Sequence, residues 1–344
     1  MIRSNAIYSA LYEVRTKVAY AALYCFFLTA ILITVGGNLV VIISICHFKQ
    51  LRTPTNLLVL SLAVADLFLG LFSMPLIMVR SVETCWYFGS TVCIMYSFVD
   101  VVLCTVSLFH LVFIAIDRYH AVCDPMRYPS KITVSTVWMF IAIGWVIPIL
   151  YSSGLLYFRG NSDGIEVYNL CPGDCMILLN ALWGLLDTIF TFCLPFSIMI
   201  SLYSKIFIVA RQHARAMHRV VHQKLTGERK RNAENKKKDN KATKTLGIVV
   251  SVFILCWSPY CFNNLFTSVS DVSSSPLVVE IFGWLAYFNS AFNPIIYGLF
   301  YPWFRKALKL ILTFKILQSQ MYEGSFYRAN HDDTMLELLD LTYL

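Results

Sequence analysis

Seven long apolar segments, most of them joined by short polar stretches, follow one another along the chain. Each has roughly 20 residues or more, the length of helix needed to cross a hydrocarbon core of about 30 Å. They lie at residues 19–46, 56–79, 91–116, 133–156, 177–209, 245–267 and 278–300. The pattern predicts an all-α membrane protein: a bundle of seven transmembrane helices, with a short amphipathic helix after the seventh.

The placement of basic residues predicts the orientation, because Lys and Arg near spanning helices stay on the cytoplasmic side. With the amino terminus outside, 23 of the 28 Lys and Arg residues lie inside. We therefore expect a multi-pass plasma-membrane protein with three parts. These are an extracellular tail (1–18), a seven-transmembrane domain (19–301, with the third cytoplasmic loop at about 210–244), and an amphipathic helix followed by a cytoplasmic tail (302–344).

Composition narrows the class of protein further. Hydrophobic residues make up 58% of the chain and charged residues only 14%, which excludes an ordinary soluble domain. The segment 211–244 contains 12 basic and three acidic residues. In a membrane protein such a basic segment is typical of a cytoplasmic loop beside anionic lipid, and it does not indicate nucleic-acid binding.

Three acidic residues lie inside the apolar segments: Asp66, Asp100 and Asp187. A charged side chain at the bilayer centre costs about 2.5–3.5 kcal/mol on insertion scales, and no Lys or Arg lies at comparable depth. We therefore expect the compensating positive charges to come from outside the protein. The alternatives are a carboxylate satisfied by Tyr287 alone for Asp100, and a neutral acid bonded to Thr188 or water for Asp187.

Helical geometry gives the third helix two functional ends. Asp100 and Arg118 are 18 residues apart, which is five turns, so both project from one face with a separation of about 27 Å. Asp187 precedes Pro195 by eight residues, roughly 12 Å towards the outer face. It is therefore expected to share an outer cavity with Asp100.

Asp66 is surrounded in the predicted bundle by oxygen-bearing side chains: Ser107, Asn289, Ser290 and Asn293. Such hard oxygen ligands suit a small cation such as sodium. A hydrogen-bonded structural carboxylate is the alternative. Apart from this sodium ion, no cofactor is predicted. His110 is interpreted as a core histidine, and no His, Cys and acidic cluster indicates an enzyme.

The order and spacing of these polar residues resemble the rhodopsin-like (class A) family of G-protein-coupled receptors. The resemblance rests on Gly37-Asn38, Leu62 to Asp66, Asp117-Arg118-Tyr119, Trp145, Pro195, Tyr203, Cys256-Trp257-Ser258-Pro259, and Asn293-Pro294-Ile295-Ile296-Tyr297. It implies a heterotrimeric G protein as partner. It also implies coupling and switch roles for Asp117, Arg118, Tyr119, Tyr203, Asp239, Asn293, Pro294 and Tyr297. At rest Arg118 would pair with Asp117, and Asp239 is a candidate second partner.

Three segments, 47–56, 244–249 and 289–304, resemble the trace amine-associated subfamily. That resemblance implies a small amine as ligand, olfactory neurons as the site of expression, and a stimulatory G protein that raises cyclic AMP. The ligand site it implies consists of Asp100, Val101, Cys104, Asp187, Thr188, Trp257, Tyr260, Glu280, Trp284 and Tyr287. Asp100 would bind one ammonium. Subfamily members with an acid at the position of Asp187 resemble receptors for diamines of the cadaverine and putrescine type, or for polyamines. Glu280 is another candidate for the second contact.

Four cysteines face the oxidising exterior in this topology: Cys85, Cys93, Cys171 and Cys175. Four cysteines allow three pairings, which the residues alone do not distinguish. The subfamily resemblance implies a Cys93–Cys175 disulfide. It leaves Cys85 and Cys171 without their usual partners. Either these two cysteines pair with each other, or the true start of the chain lies upstream of Met1.

Two other functions compete with a diamine receptor. A monoamine receptor, for biogenic or trace amines, needs only one acid, although such sites often place serines on the fifth helix, where this chain has Asp187 and Thr188. An amine transporter would be expected to contain internal repeats or interrupted half-helices, which seven unlike spans do not provide.

Overall fold

The computed structural model describes residues 17–158, 175, 181–220, 227–270, 274–300 and 302–313. Seven long helices occupy the predicted spans. They are α1 (Lys17–His47), α2 (Pro54–Phe68, Leu69–Ser73 and Met74–Glu83), α3 (Gly89–Cys123), α4 (Val134–Phe158), α5 (Ala181–Thr188, Ile189–Cys193 and Leu194–Val220), α6 (Gly227–Ser270) and α7 (Pro276–Phe300). The middle parts of α2 and α5 are single π-helical turns.

Six of these helices, α1 to α6, are long and apolar enough in their described parts to cross a membrane. The seventh has 25 residues, which is also sufficient length, but its inward face carries the polar residues Asn289, Ser290 and Asn293. The seven predicted spans therefore correspond to seven helices, and the helical prediction is confirmed.

The largest differences from the predicted boundaries are at the cytoplasmic ends of α5 and α6. Apolar patterning ends the fifth span at 209 and begins the sixth at 245, whereas the helices reach Val220 and begin at Gly227. Residues 221–226 lie outside the described part. A polar segment can continue a helix beyond the hydrocarbon core, and apolar patterning does not detect such an extension.

Polar residues line the inside of the bundle, and apolar residues cover its outside. Asn38 and Asp66 are fully buried, whereas Leu32 on α1, Leu150 on α4 and Leu255 on α6 are exposed. An exposed apolar surface of this extent on several helices is the surface that lipid solvates in a membrane protein.

Close approach of α1 and α7 depends on a glycine. A Cβ atom at Gly37 would lie 2.5 Å from Cγ of Pro294, so no larger residue fits without movement. The neighbouring Asn38 donates from Nδ2 to the carbonyl of Ser290 at 3.1 Å. A small residue and a buried amide thus fix α1 against the proline-containing part of α7.

At the outer end, α2 is followed by a tight turn into α3. Thr84 and Gly89 both have positive φ, 63° and 78°, and the indole nitrogen of Trp86 donates to the carbonyl of Gly89. A few residues into α3, Cys93 is bonded to Cys175, as the resemblance implies. Cys85 is also disulfide-bonded, and Cys171 lies outside the described residues.

The helix α8 (Pro302–Leu312) belongs to a second unit that begins at Gly298. Phe304 and Ala307 are buried, whereas Arg305 and Lys309 are exposed. The guanidinium of Arg305 donates to the carbonyl of Leu299 at 3.0 Å. The predicted amphipathic helix after the seventh span is therefore confirmed.

Candidate functional site

The half-buried carboxylate of Asp100 lies where α2, α3 and α7 meet. The hydroxyl of Tyr287 donates to Oδ1 of Asp100 at 2.8 Å, and the hydroxyl of Tyr96 lies 3.1 Å from that of Tyr287. The fully buried Ser73, in the π-helical turn of α2, lies beside the same carboxylate. Asp100 is thus surrounded by neutral hydroxyl groups from three helices.

Asp187 lies on α5, in the turn before its π-helical part. The hydroxyl of Tyr151 on α4 donates to Oδ1 of Asp187. The Tyr151 ring stacks on Phe190 with centroids 4.9 Å apart. The hydroxyl of Thr188 donates to the carbonyl of Gly184 in its own helix at 2.9 Å. Among the described residues, the donor to the Asp187 carboxylate is therefore a tyrosine on another helix and not Thr188.

Neither outer acid is paired with a basic side chain in the part of the chain that the structure describes. There, the ion pairs formed by Lys or Arg join Arg118 to Asp117 and Lys131 to Asp124, both towards the cytoplasmic side. A charged carboxylate buried without a cation is costly. Asp100 and Asp187 therefore lack a basic partner among the described residues, and an added cation would stabilise the charged form of either acid.

Two aromatic residues of α6, Tyr260 and Trp257, lie in the neighbourhood of the acids. The hydroxyl of Tyr260 is within electrostatic reach of both Asp100 and Asp187. Trp257 packs edge-on against Tyr260, with centroids 6.2 Å apart, and both side chains are half-buried. Tyr260 is thus near both carboxylates, and Trp257 is its neighbour. The half-buried Cys104, one turn below Asp100 on α3, is within electrostatic reach of Asp100 and Asp66.

Three other predicted ligand residues have different surroundings. The indole nitrogen of Trp284 donates to the hydroxyl of Ser81 at 2.8 Å, and its ring stacks on Phe27 with centroids 4.0 Å apart. Trp284 therefore packs towards α1 and α2. Glu280 is half-buried near the outer end of α7, and Val101 is half-buried next to Asp100.

The fully buried Asp66 accepts three hydrogen bonds from side chains. Ser107 and Ser290 donate to Oδ1 at 3.1 and 2.7 Å, and Nδ2 of Asn293 donates to Oδ2 at 2.8 Å. The amide oxygens of Asn289 and Asn293 are buried without a hydrogen-bond partner. Unpartnered buried acceptors beside a carboxylate meet the requirement of a small hard cation for oxygen ligands. Asn293 combines both features, because its amide nitrogen donates to Asp66 while its amide oxygen has no hydrogen-bond partner.

The cytoplasmic end of α3 contains a compact polar network. Nε of Arg118 donates to Oδ2 of Asp117 at 2.8 Å. Thr55 on α2 donates to the same oxygen at 2.8 Å, and Tyr128, in the one-turn helix Tyr128–Lys131, donates to Oδ1 at 3.0 Å. Burial, followed by the charge of Asp117, raises the pKa of the Tyr128 hydroxyl, so it remains a donor at neutral pH.

The remaining switch residues are distributed along the inner half. Tyr119 is half-buried, and Asn293, Pro294 and Tyr297 are buried in α7. On α5, the ring of Tyr203 faces Gly247 of α6, where an added Cβ would lie 3.6 Å away. The side chain of Asp239 lies outside the described residues.

Comparison with known proteins matches this arrangement to one family. The family model described as 7 transmembrane receptor (rhodopsin family) matches residues 37–297. A zebrafish (Danio rerio) protein named Trace amine-associated receptor 13c is 46% identical over 323 residues, covering 92% of both chains. Trace amine-associated receptor 4 of Rattus norvegicus is 44% identical with the same coverage, and Trace amine-associated receptor 5 of Mus musculus is 48% identical over 83% of both chains.

The chain belongs to the trace amine-associated receptors of the rhodopsin family. Both the family and the subfamily resemblance are thereby confirmed. As a G-protein-coupled receptor it is a multi-pass membrane protein and not an enzyme, and it has a small-molecule ligand and a G protein as partners.

Sequence reasoning missed several residues of these sites. In the receptor, Tyr96 precedes Asp100 by four residues and so shares its helix face, a signal that was available in the sequence. Tyr151, Thr55 and Tyr128 come from neighbouring elements. Their contacts depend on how α2, α4 and the one-turn helix are rotated towards α3 and α5, which periodicity within one helix does not reveal.

Proposed function

We propose that this receptor detects aliphatic diamines or polyamines, with Asp100 binding one ammonium and Asp187 the other. The observation that supports this proposal is the presence of two acids in the outer half, each hydrogen-bonded by a tyrosine and neither paired with a described basic side chain. Two ammonium groups would neutralise both carboxylates. A single ammonium would leave one buried carboxylate unpaired, which costs up to about 3 kcal/mol of binding free energy.

Two aromatic residues of α6, Tyr260 and Trp257, support a cationic ligand. Aromatic faces around a cation contribute about 0.5–2 kcal/mol beyond an ion pair. Tyr260 lies within reach of both carboxylates, with Trp257 beside it. A linear diamine could therefore extend past Tyr260 and Trp257 from one acid to the other.

A monoamine ligand is the second candidate, and one contact favours it. Asp187 already accepts a hydrogen bond from Tyr151, so it has a partner inside the protein. A carboxylate satisfied in this way could serve as a structural group in a receptor whose ligand has a single ammonium on Asp100. The two candidates differ in whether Asp187 contributes to ligand discrimination.

The deciding experiment measures cyclic AMP in cells that express the receptor, with a linear five-carbon diamine and pentylamine as matched ligands. For the intact receptor we expect the diamine to be more potent. Asp187→Asn should reduce the diamine-to-monoamine potency ratio by about tenfold or more, whereas Glu280→Gln should preserve it. An unchanged ratio in Asp187→Asn would favour the monoamine receptor. A ratio that falls only in Glu280→Gln would assign the second ammonium to Glu280.

We also propose coupling to a stimulatory G protein, expression in olfactory neurons and an extracellular amino terminus, as the subfamily resemblance implies. The cyclic AMP measurement tests the coupling directly. Uptake of labelled diamine without any cyclic AMP response would instead favour the transporter. Antibody access to an amino-terminal tag on unpermeabilised cells tests the orientation.

We propose in addition that Asp66 binds a sodium ion together with Ser107, Asn289 and Asn293. The unpartnered amide oxygens of Asn289 and Asn293 support this assignment, because both are buried acceptors without a donor and the Asn293 amide is itself bonded to Asp66. The ion would supply a positive charge to an acid that, among the described residues, has only neutral donors.

A further inference from the structure

The contact between α4 and α5 contains a tyrosine that none of the expected ligand residues includes. The hydroxyl of Tyr151 donates to Oδ1 of Asp187, and the two residues are 36 positions apart in the chain. The same ring stacks on Phe190, which is three residues beyond Asp187 on the same face of α5. Tyr151 is therefore attached to α5 at two points, its hydroxyl and its ring.

The surroundings of Asp100 show the same arrangement. Tyr287 on α7 donates to one oxygen of Asp100, just as Tyr151 on α4 donates to one oxygen of Asp187. A carboxylate has two oxygens and about four acceptor sites, so one phenol leaves the second oxygen able to accept from another donor. In both pairs a neutral donor from a different helix fixes the direction of the acid without neutralising it.

We infer that Tyr151 is a positioning residue for the second ammonium of a diamine, holding Asp187 with one oxygen available to the ligand. This inference rests on the proposed diamine function. Tyr151 does not need to touch the ligand, because its effect is transmitted through Asp187. The fixed ring is important here, since a donor that is already immobilised loses little conformational entropy when the ligand binds.

The position of Tyr151 explains why its loss should affect diamines selectively. A pentylamine molecule bound at Asp100 would not use the Asp187 carboxylate, so the orientation of that acid would not alter its potency. The second ammonium of a diamine requires the carboxylate at a defined place and in its charged form. Hydrogen bonds to charged groups are worth more than those between neutral groups, so removal of this one should be measurable.

The test uses Tyr151→Phe, which keeps the ring on Phe190 and removes only the hydroxyl. We expect the potency of a linear five-carbon diamine to fall by about tenfold and that of pentylamine to change by less than about threefold. Ser153→Ala is the control on the same helix, because the Ser153 side chain is exposed and its hydroxyl bonds to the carbonyl of Ile149 in its own helix. It should leave both potencies unchanged at matched surface expression.

A double-mutant cycle with Asp187→Asn distinguishes positioning from a general structural role. If Tyr151 acts through Asp187, then Tyr151→Phe should have no further effect on the diamine-to-monoamine ratio in the Asp187→Asn background. Equal loss of diamine and monoamine potency, or an increase in diamine potency, in Tyr151→Phe would overturn the inference. An additive effect in the double variant would do so as well.

The outcomes also separate this inference from the proposed function. If Asp187→Asn leaves the potency ratio unchanged, the proposed binding of the second ammonium to Asp187 is wrong. If Asp187→Asn lowers the ratio but Tyr151→Phe does not, only the role of Tyr151 is wrong. Should Tyr151→Phe fail to reach the cell surface, Phe190→Leu offers a second route, since it removes the stacking partner and keeps the hydroxyl. It should lower the ratio in the same direction, and an unchanged ratio would count against the inference.

Discussion

The hydroxyl of Tyr287 on α7 donates a 2.8 Å hydrogen bond to the carboxylate of Asp100 on α3. The contact spans 187 positions of the chain and joins the ligand acid to the helix that contains Asn293, Pro294 and Tyr297. An ammonium that binds Asp100 would therefore contact the same carboxylate to which Tyr287 of α7 donates. The first prediction follows from that relationship.

Tyr287→Phe should lower the potency of diamines and monoamines alike, by about ten- to a hundredfold. Both ligand types place an ammonium on Asp100, and the variant removes a donor that orients this acid, an interaction worth about 1.5–3 kcal/mol when one partner is charged. Cyclic AMP dose–response curves at matched surface expression provide the measurement. Tyr96→Phe, which acts one hydroxyl further away, should have a smaller effect. Loss of diamine potency alone in Tyr287→Phe would contradict the assignment of Asp100 to the common ammonium.

Asp66→Asn should abolish the stabilisation of the receptor by sodium. A ligand that binds only the folded state raises stability by an amount that grows with the logarithm of its concentration, about 2.7 kcal/mol at one hundred times its dissociation constant. The melting temperature of the purified receptor should therefore be several degrees higher in sodium chloride than in equimolar potassium chloride, and equal in both salts for Asp66→Asn. Equal melting temperatures for the intact receptor would reject the sodium site.

Tyr128→Phe should raise the basal cyclic AMP level by up to about fivefold. Tyr128 and Thr55 donate to the two oxygens of Asp117 and so hold it in place for Arg118. A loosened Asp117 should release Arg118 more readily, at a cost of about 1 kcal/mol for one lost hydrogen bond.

The raised pKa of Tyr128 keeps its hydroxyl protonated, so we expect no change in basal signalling from this residue between pH 6 and 8. Thr133→Ala is a control outside the network; a basal level in Tyr128→Phe equal to that of the intact receptor would disprove the stabilising role.

Gly37→Ala should destabilise the receptor, whereas Gly36→Ala should not. A Cβ at Gly37 would lie 2.5 Å from Pro294, but a Cβ at Gly36 would have no atom within 4 Å. Overpacking typically costs about 1–3 kcal/mol. Faster thermal inactivation of Gly37→Ala in detergent would show the close approach of α1 and α7. Similar inactivation rates for the two adjacent variants would contradict it.

The sequence was sufficient to predict the helices, because the thickness of the bilayer sets their length and apolar composition reveals it. The placement of Asp100 and Arg118 on one face of α3 was also predicted, from their helical spacing. The partners of these residues on other helices were harder to predict. Tyr151 and Trp284 illustrate the limit: each lies in an apolar segment, and only the rotation of its helix directs one towards Asp187 and the other towards Ser81 and Phe27.

The π-helical turn Ile189–Cys193 determines the direction in which the outer end of α5 faces. Each residue of an α-helix rotates the chain by about 100°, so deletion of one residue within this turn would rotate everything on its outer side by that angle relative to the inner half. Asp187 would then lose its contact with Tyr151, while Pro195 and Tyr203 would keep their positions. A single-residue insertion or deletion at this point could therefore switch the second acid of the site in or out without any change in the identity of Asp187.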